Sequence, residues 1–161
     1  MTPPLSDVTE FVDTLDQLGL PVIRIAVRDI KTDKLHVSMD DELAVTKIVN
    51  HIISQDHKDI AFIRGPENHP STHHRFAGYK GAMKENGLDI VTDYIVDGDF
   101  TYKSGLYAAL ALLNLPKPPT AIYASNDDMA AGAVTAAYMS CLLYTSPSPR
   151  DQRGSRMPSS A

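Results

Sequence analysis

A chain of 161 residues with 43% hydrophobic and 22% charged positions matches ordinary globular usage, which excludes a collagen-like, disordered or disulfide-stapled polypeptide. Fifteen basic against 20 acidic side chains leave a net charge of −5, and the single cysteine, Cys141, excludes an internal disulfide and any multi-thiolate metal centre. No apolar run approaches the roughly 20 residues of a membrane span, and Met1 to Asp7 lacks the basic and apolar regions of an export signal, so a cytoplasmic protein is expected.

Val8, Phe11, Val12, Leu15 and Leu18 recur at helical spacing, with Asp7 and Glu10 as a capping-box-like pair and Gly19 as the stop. Pro21 then introduces a short β-branched run, Val22 to Ala26, read as a strand, and His36 to Met39 is a second, weaker one. Val27 to Leu35 between them is irregular. A helix follows with the apolar stripe Leu43, Ala44, Ile48, Ile52 and Ile53, breaking around Asp56 before Ile60 to Ile63, the clearest buried strand. The next helix enters at Ser71, carries Phe76, Tyr79 and Met83, and ends at Gly87. Tyr94 to Val96 is a strand, Leu106, Ala109, Leu110 and Leu113 mark a helix, Thr120 to Ala124 is a strand, and a last helix starts near Asp127.

From Cys141 the chain reads CLLYTSPSPRDQRGSRMPSSA, with three prolines, five serines and no apolar periodicity after Tyr144. Its composition is that of a disordered tail. Cys141 to Asp151 and Ser155 to Ala161 also read as the in-frame translation of a sequencing-library adapter flanking a sample index. Residues 141–161 are therefore set aside from the fold. The tail holds three arginines and one aspartate, so residues 1–140 carry −7, a poor charge for gripping a phosphate backbone.

Strands alternating with helices of this length imply an α/β fold with a parallel sheet and helices on both faces. Such sheets place ligands at the carboxyl ends of their strands. The loops of interest are RGPENHPSTHHR after Ile63, DGDFT after Val96 and SNDD after Ala124. No phosphate-loop or dinucleotide motif occurs. His69 and His73 have a metal-compatible i, i+4 spacing, but Pro70 keeps His69 off the helix, so no metal is expected. Ser71, Ser104 and Ser125 have the settings of caps or turns, and the pairs Asp40/Asp41 and Asp127/Asp128 those of helix starts. No catalytic machinery and no cofactor are read here.

Three residues stand out. Arg75, in the first turns of a helix, can reach back over the cleft with a guanidinium suited to hydroxyls or carboxylates, or lie solvated on the surface. Phe100 sits in a turn-like segment and either stacks on a ligand or packs under its loop. Asn126 is a helix cap or a bidentate hydrogen-bonder, and the reading taken gives the ligand to Asn126 and the cap to Asp127.

In order and spacing, TPPLSD (2–7), PVIRIA (21–26), VSMDD (37–41), HKDIAFIRGPENHPSTHHRFAGYKGAM (57–83), GDFTYKSG (98–105) and PPTAIYASNDDMAAGAV (118–134) resemble the lactose-repressor/galactose-repressor (LacI/GalR) family of bacterial transcription regulators. The likeness covers essentially residues 1–140 and lies in the family's sugar-responsive effector-binding core. It implies a periplasmic-binding-protein-like type I fold, here incomplete: the end of lobe one and most of lobe two. By the same resemblance Arg75 matches the arginine that bonds the effector, Phe100 an aromatic that stacks on it, and Asn126 a polar residue that meets sugar hydroxyls. His69 and Ser71 fall where members use variable loop residues. The family's helix-turn-helix headpiece and hinge, and the strands that close the second lobe with its site aspartate, have no counterpart here.

The reading is thus the partial effector-binding domain of a DNA-binding repressor, dimeric when intact, touching operator DNA only through the missing headpiece and binding a sugar rather than a purine. It is not an enzyme. The alternative is a periplasmic sugar-binding protein of a transport system. Reading the source DNA across both ends of the chain is expected to show a headpiece upstream and lobe-closing strands in place of CLLYTS. A natural continuation through Ala161 would overturn the adapter reading, and an upstream signal peptide the regulator reading.

Overall fold

The computed structural model describes residues 8–25 and 35–140, so Asp7, Ala26, most of the irregular stretch 27–35 and the tail lie outside the described residues. Helix α1, Thr9–Gln17, ends where Gly19 takes a left-handed φ of 66°, a conformation glycine adopts without steric cost. Val8 stands at its N-cap with no side-chain bond to the helix. Only Val12 of the predicted stripe is buried, Leu15 is half-buried, and Phe11 and Leu18 remain exposed. Strands β1, Arg24–Ile25, and β2, His36–Val37, pair in parallel as a separate two-stranded sheet, each shorter than its sequence signal.

The larger unit begins with α2, Asp41–Ser54, capped by Asp40, whose carboxylate accepts from Leu43 N at 2.9 Å. Asp56 turns the chain at φ 66° into β3, Ile60–Arg64. Then come α3, Pro70–Glu85, a single 3-10 turn at Thr92–Tyr94, β4, Ile95–Asp97, α4, Tyr102–Leu113, β5, Ala121–Ala124, and α5, Asp127–Met139. The sheet order is β4-β3-β5 with every pair parallel. That is the α/β arrangement the alternating pattern predicts.

Strand β3 is central, and residues 60–63 are fully buried. A strand covered on both faces reads as an unbroken apolar run, and its pleat sends alternate side chains to opposite sides. Ala61 and Ile63 enter one core with Ala108, Ala109 and Leu112 of α4 and Met129 and Ala136 of α5. Ile60 and Phe62 enter the other with Val45 and Val49 of α2 and Tyr79, Ala82 and Met83 of α3. Phe62 stacks on Tyr123 with ring centroids 5.0 Å apart, and the Tyr79 hydroxyl donates to Ile60 O at 2.9 Å. Burial pushes that phenol up to about 12.

The predicted stripe of α2 holds at Ile52 and Ile53, which pack against the core, and is corrected over its first turns. Val45 and Val49 are the buried pair, whereas Leu43 and Ile48 are 48% and 47% exposed. This helix is apolar on more than one side, so periodicity leaves the inward face undecided, and contact with α3 decides it. The helices touch at Gly78, where an added Cβ would meet Glu42 O at 2.3 Å and Val45 Cβ at 3.1 Å. The α4/α5 pair uses the same device at Gly105, against the Met129 backbone. Helix α3 also starts one residue earlier than predicted, because Pro70 occupies the first turn, where its missing N–H is no loss.

Gly78→Ala is therefore expected to destabilise the chain by about 1–3 kcal/mol through overpacking, whereas Gly81→Ala, with nothing within 4 Å of the added carbon, should stabilise it by up to about 1 kcal/mol through helix propensity. Paired urea titrations read both signs.

Candidate ligand-binding site

The parallel register aligns the carboxyl ends of all three strands, with Arg64 opposite Asp97 and Ile63 opposite Ala124. The loops leave from one edge and are pinned there. Gly98 N donates to Arg64 O at 2.8 Å, and Ser125 donates to Ile63 O through its N–H at 3.1 Å and its hydroxyl at 2.7 Å. Arg64 and Asp97 add an ion pair at 2.5 Å. Both side chains are partly or largely exposed, so the pair positions the loops more than it stabilises the fold.

His69 stands at the N-cap of α3 with extended backbone and no side-chain cap bond. Its Nδ1 lies 2.8 Å from Ser71 Oγ, and its ring meets that of Phe100 edge-on at 5.2 Å. Phe100 itself has φ 67°, a left-handed conformation uncommon for a residue with a side chain. Its ring lies against the bare α-carbon of Gly65, where an added Cβ would come within 2.2 Å of two ring carbons. The segment is held in that shape by Asp99, whose carboxylate accepts from Thr101 N at 2.9 Å and Thr101 Oγ1 at 2.5 Å.

Asn126 corrects the division of labour read from sequence. It is itself the N-cap of α5, its Oδ1 accepting from Met129 N at 3.0 Å, while Asp127 is already the first helical residue. The other end of its amide donates to Phe100 O at 2.9 Å, so one side chain starts a helix and clamps a neighbouring loop. Two donor and acceptor positions of the amide remain beyond these bonds.

Arg75 is about one-fifth exposed, not a solvated surface arginine. Its Nε donates to Asp41 Oδ1 at 2.8 Å and its Nη1 to Ser125 O, so the guanidinium spans α2, α3 and the loop after β5. Two of its five N–H donors are used, and the fork faces a cavity of about 450 Å³ also lined by Met39, Asp41, Ile48, Tyr123 and Asn126. Burial raises the pKa of Tyr123 there; Arg75 opposes that rise and Asp41 adds to it. Sequence reasoning missed Asp41. The signal was the doubled aspartate: one carboxylate suffices for the cap, Asp40 takes that role, and a half-buried arginine requires the other.

Four of the five sequence-predicted residues are thus joined by direct contacts, and the fifth, Arg75, is bonded to the residue that precedes Asn126. Ser71 meets His69, His69 meets Phe100, Phe100 is bonded by Asn126, and Asn126 adjoins the carbonyl that holds Arg75. Only Arg75 and Asn126 line the 450 Å³ cavity. The described residues contain no group of three or more His, Cys, Asp or Glu side chains placed to hold a metal, and no helix among them is long and apolar enough to cross a membrane. His73 Nε2 is 2.8 Å from Glu67 O, a bond that draws its ring back along its own loop.

Parallel strands between two helical layers, with an arginine, an amide and an aromatic gathered at their carboxyl ends, make an α/β unit of the periplasmic-binding-protein type. A family model described as periplasmic binding proteins and sugar binding domain of LacI family matches residues 6–142, and the chain belongs to that family. It is 37% identical over 126 residues to catabolite control protein A of Priestia megaterium, covering 78% of this chain and 38% of that protein. It is also 37% identical over 135 residues to the HTH-type transcriptional repressor CytR of Escherichia coli K12, covering 84% and 35%. A LacI-family regulatory protein from Chloroflexus aggregans superposes with a TM-score of 0.77 at 30% identity, over 88% of this chain and half of that one. These relatives are transcription regulators rather than enzymes, and the chain spans under two-fifths of the curated ones and about half of the solved one.

The Asp99 carboxyl, held by Ser104 and Thr101, is lowered to about 2 from 3.8. Its bonds are therefore intact above pH 3.8 and lost as pH falls through about 2. Carboxyl-detected NMR should return that midpoint, and Thr101→Val should move it back towards the ordinary aspartate range. An unshifted Asp99 in the unmodified chain contradicts the loop geometry.

Proposed function

We propose that His69, Ser71, Arg75, Phe100 and Asn126 form the second-lobe half of an effector site for a small sugar, in the ligand-sensing core of a DNA-binding repressor. The observation that carries this reading is the Arg75 guanidinium, anchored at two of its donors and turned towards a cavity that also takes the Asn126 amide. A pre-oriented fork and an amide with donor and acceptor to spare match vicinal hydroxyls, which both give and accept hydrogen bonds. Phe100 offers a ring for the apolar face of a pyranose or furanose. Effector binding then acts by favouring one of two lobe arrangements in an intact homodimer, whose headpieces meet operator DNA in the cytoplasm. The chain's negative charge fits that division, since the DNA contacts fall to another part of the protein. It carries no catalytic role, no cofactor and no metal in this reading.

Isothermal titration of the chain with D-ribose, D-glucose, D-galactose and D-fructose, and with adenosine as a purine probe, tests the assignment. Saturable binding of at least one sugar is expected, and Arg75→Ala should weaken it by about tenfold or more, as loss of a charge-assisted hydrogen bond does. Binding of adenosine and of no sugar would move the effector to the purine class. Sugar binding indifferent to Arg75→Ala and Asn126→Ala would remove the site from these loops.

A further inference from the structure

Each helix of the larger unit runs against the direction of the strands, so the N-termini of α2, α3, α4 and α5 meet at the carboxyl ends where the loops gather. A helix N-terminus attracts anions through its unpaired N–H groups and its dipole, and several together would suit a phosphate or a carboxylate. The chain places its own acids there, and only at two of the four. Helix α2 opens with Asp41 and Glu42 and α5 with Asp127 and Asp128, whereas α3 and α4 have no acidic residue in their first turns. Helices α2 and α5 are also the two whose first residues, Asp41 and Asp127, line the 450 Å³ cavity at Arg75.

Capping accounts for neither acid, since Asp40 caps α2 and Asn126 caps α5. Asp41 accepts from Arg75 Nε at 2.8 Å, which matches the guanidinium's charge before any ligand arrives. Asp127 is exposed and adds a second carboxylate. Arg75 is the one cation among the described residues that line the cavity. At the same end of the sheet Arg64 is taken by Asp97 at 2.6 Å, and Lys103 lies over the Tyr107 ring at 5.9 Å. A ligand in the cavity therefore meets two carboxylates, one guanidinium and the Asn126 amide. Ionised carboxylates only accept hydrogen bonds and a guanidinium only donates them. A hydroxyl serves both, whereas a phosphate ester or an ionised sugar acid has acceptors alone and is repelled by both aspartates.

We propose that this site selects its effector by charge: it takes an uncharged sugar and rejects sugar phosphates and sugar acids, with Asp127 as the specificity-determining residue because Asp41 is already committed to Arg75. This rests on the sugar-effector reading above. Isothermal titration at neutral pH in a phosphate-free buffer compares D-glucose with D-glucose 6-phosphate, D-ribose with D-ribose 5-phosphate, and D-galactose with D-galacturonate. In each pair that binds, the neutral member should bind about tenfold tighter or more, the scale on which one unit charge a few ångströms away acts at a protein surface. Asp127→Asn should narrow that ratio about tenfold, and Asn126 still caps the helix in that variant. Asp89→Asn removes the same charge from the exposed turn beyond the C-terminal end of α3, at the other end of the sheet, and should leave the ratio in place.

An anionic sugar that binds as tightly as its neutral partner would overturn the proposal and leave the sugar reading standing. So would a ratio that Asp127→Asn leaves intact, or one that Asp89→Asn narrows equally. If no member of any pair binds, the sugar reading itself fails and takes this inference with it.

Discussion

Everything in the larger unit hangs on the burial of β3 from both sides. Four consecutive side chains, Ile60, Ala61, Phe62 and Ile63, have no exposed surface, and the pleat divides them evenly between two helical layers. A strand so enclosed must have neighbours on both edges running the same way, since each helix returns the chain to the end it started from. The carboxyl ends of β3, β4 and β5 then coincide, and the loops that follow have nowhere to go but into one cluster. The candidate site is in this sense a by-product of the core.

What turns a cluster of loops into a site is that few of its polar side chains serve only one purpose. Asn126 starts α5 and holds the backbone of Phe100; Ser125 bonds β3 twice while its carbonyl anchors Arg75; Asp40 and Asp41 divide a cap and an ion pair between them. Such shared duties fix each group from two elements at once, which is how a scaffold holds binding groups steady without a ligand to order them. The left-handed backbone at Phe100 belongs to the same logic. A strained conformation persists where its surroundings over-determine it, and here the Asp99 turn, the Asn126 bond and the bare Gly65 all act on one residue.

The order of elements, the parallel sheet and the three loops were legible because they follow from local signals: the apolar run of β3, the punctuation at Gly19, Asp56 and Gly87, and the Pro-led start of α3. The family was legible too, from motifs whose order carries more information than any one of them. The buried face of α2 was not, since choosing Val45 and Val49 over Leu43 and Ile48 depends on a glycine 33 residues beyond Val45, at position 78. The same holds for Arg75, whose sequence setting favoured solvent until a carboxylate from another helix drew it inward. Asn126 was misassigned because a side chain with two ends can satisfy a helix and a loop together, which a one-role reading does not allow for.

The alternation along β3 has an evolutionary corollary. Inserting or deleting one residue within it would exchange the side chains facing its two cores, placing Phe62 where Ala61 or Ile63 now sits among the small residues of α4 and α5. Length change is therefore closed to the strand, and the loop after it is pinned as well, by Phe100 against Gly65 and His69 and by His73 at Glu67 O. What remains open to drift is the identity of the side chains that point out of that loop, while its length and the framework beneath it stay constant.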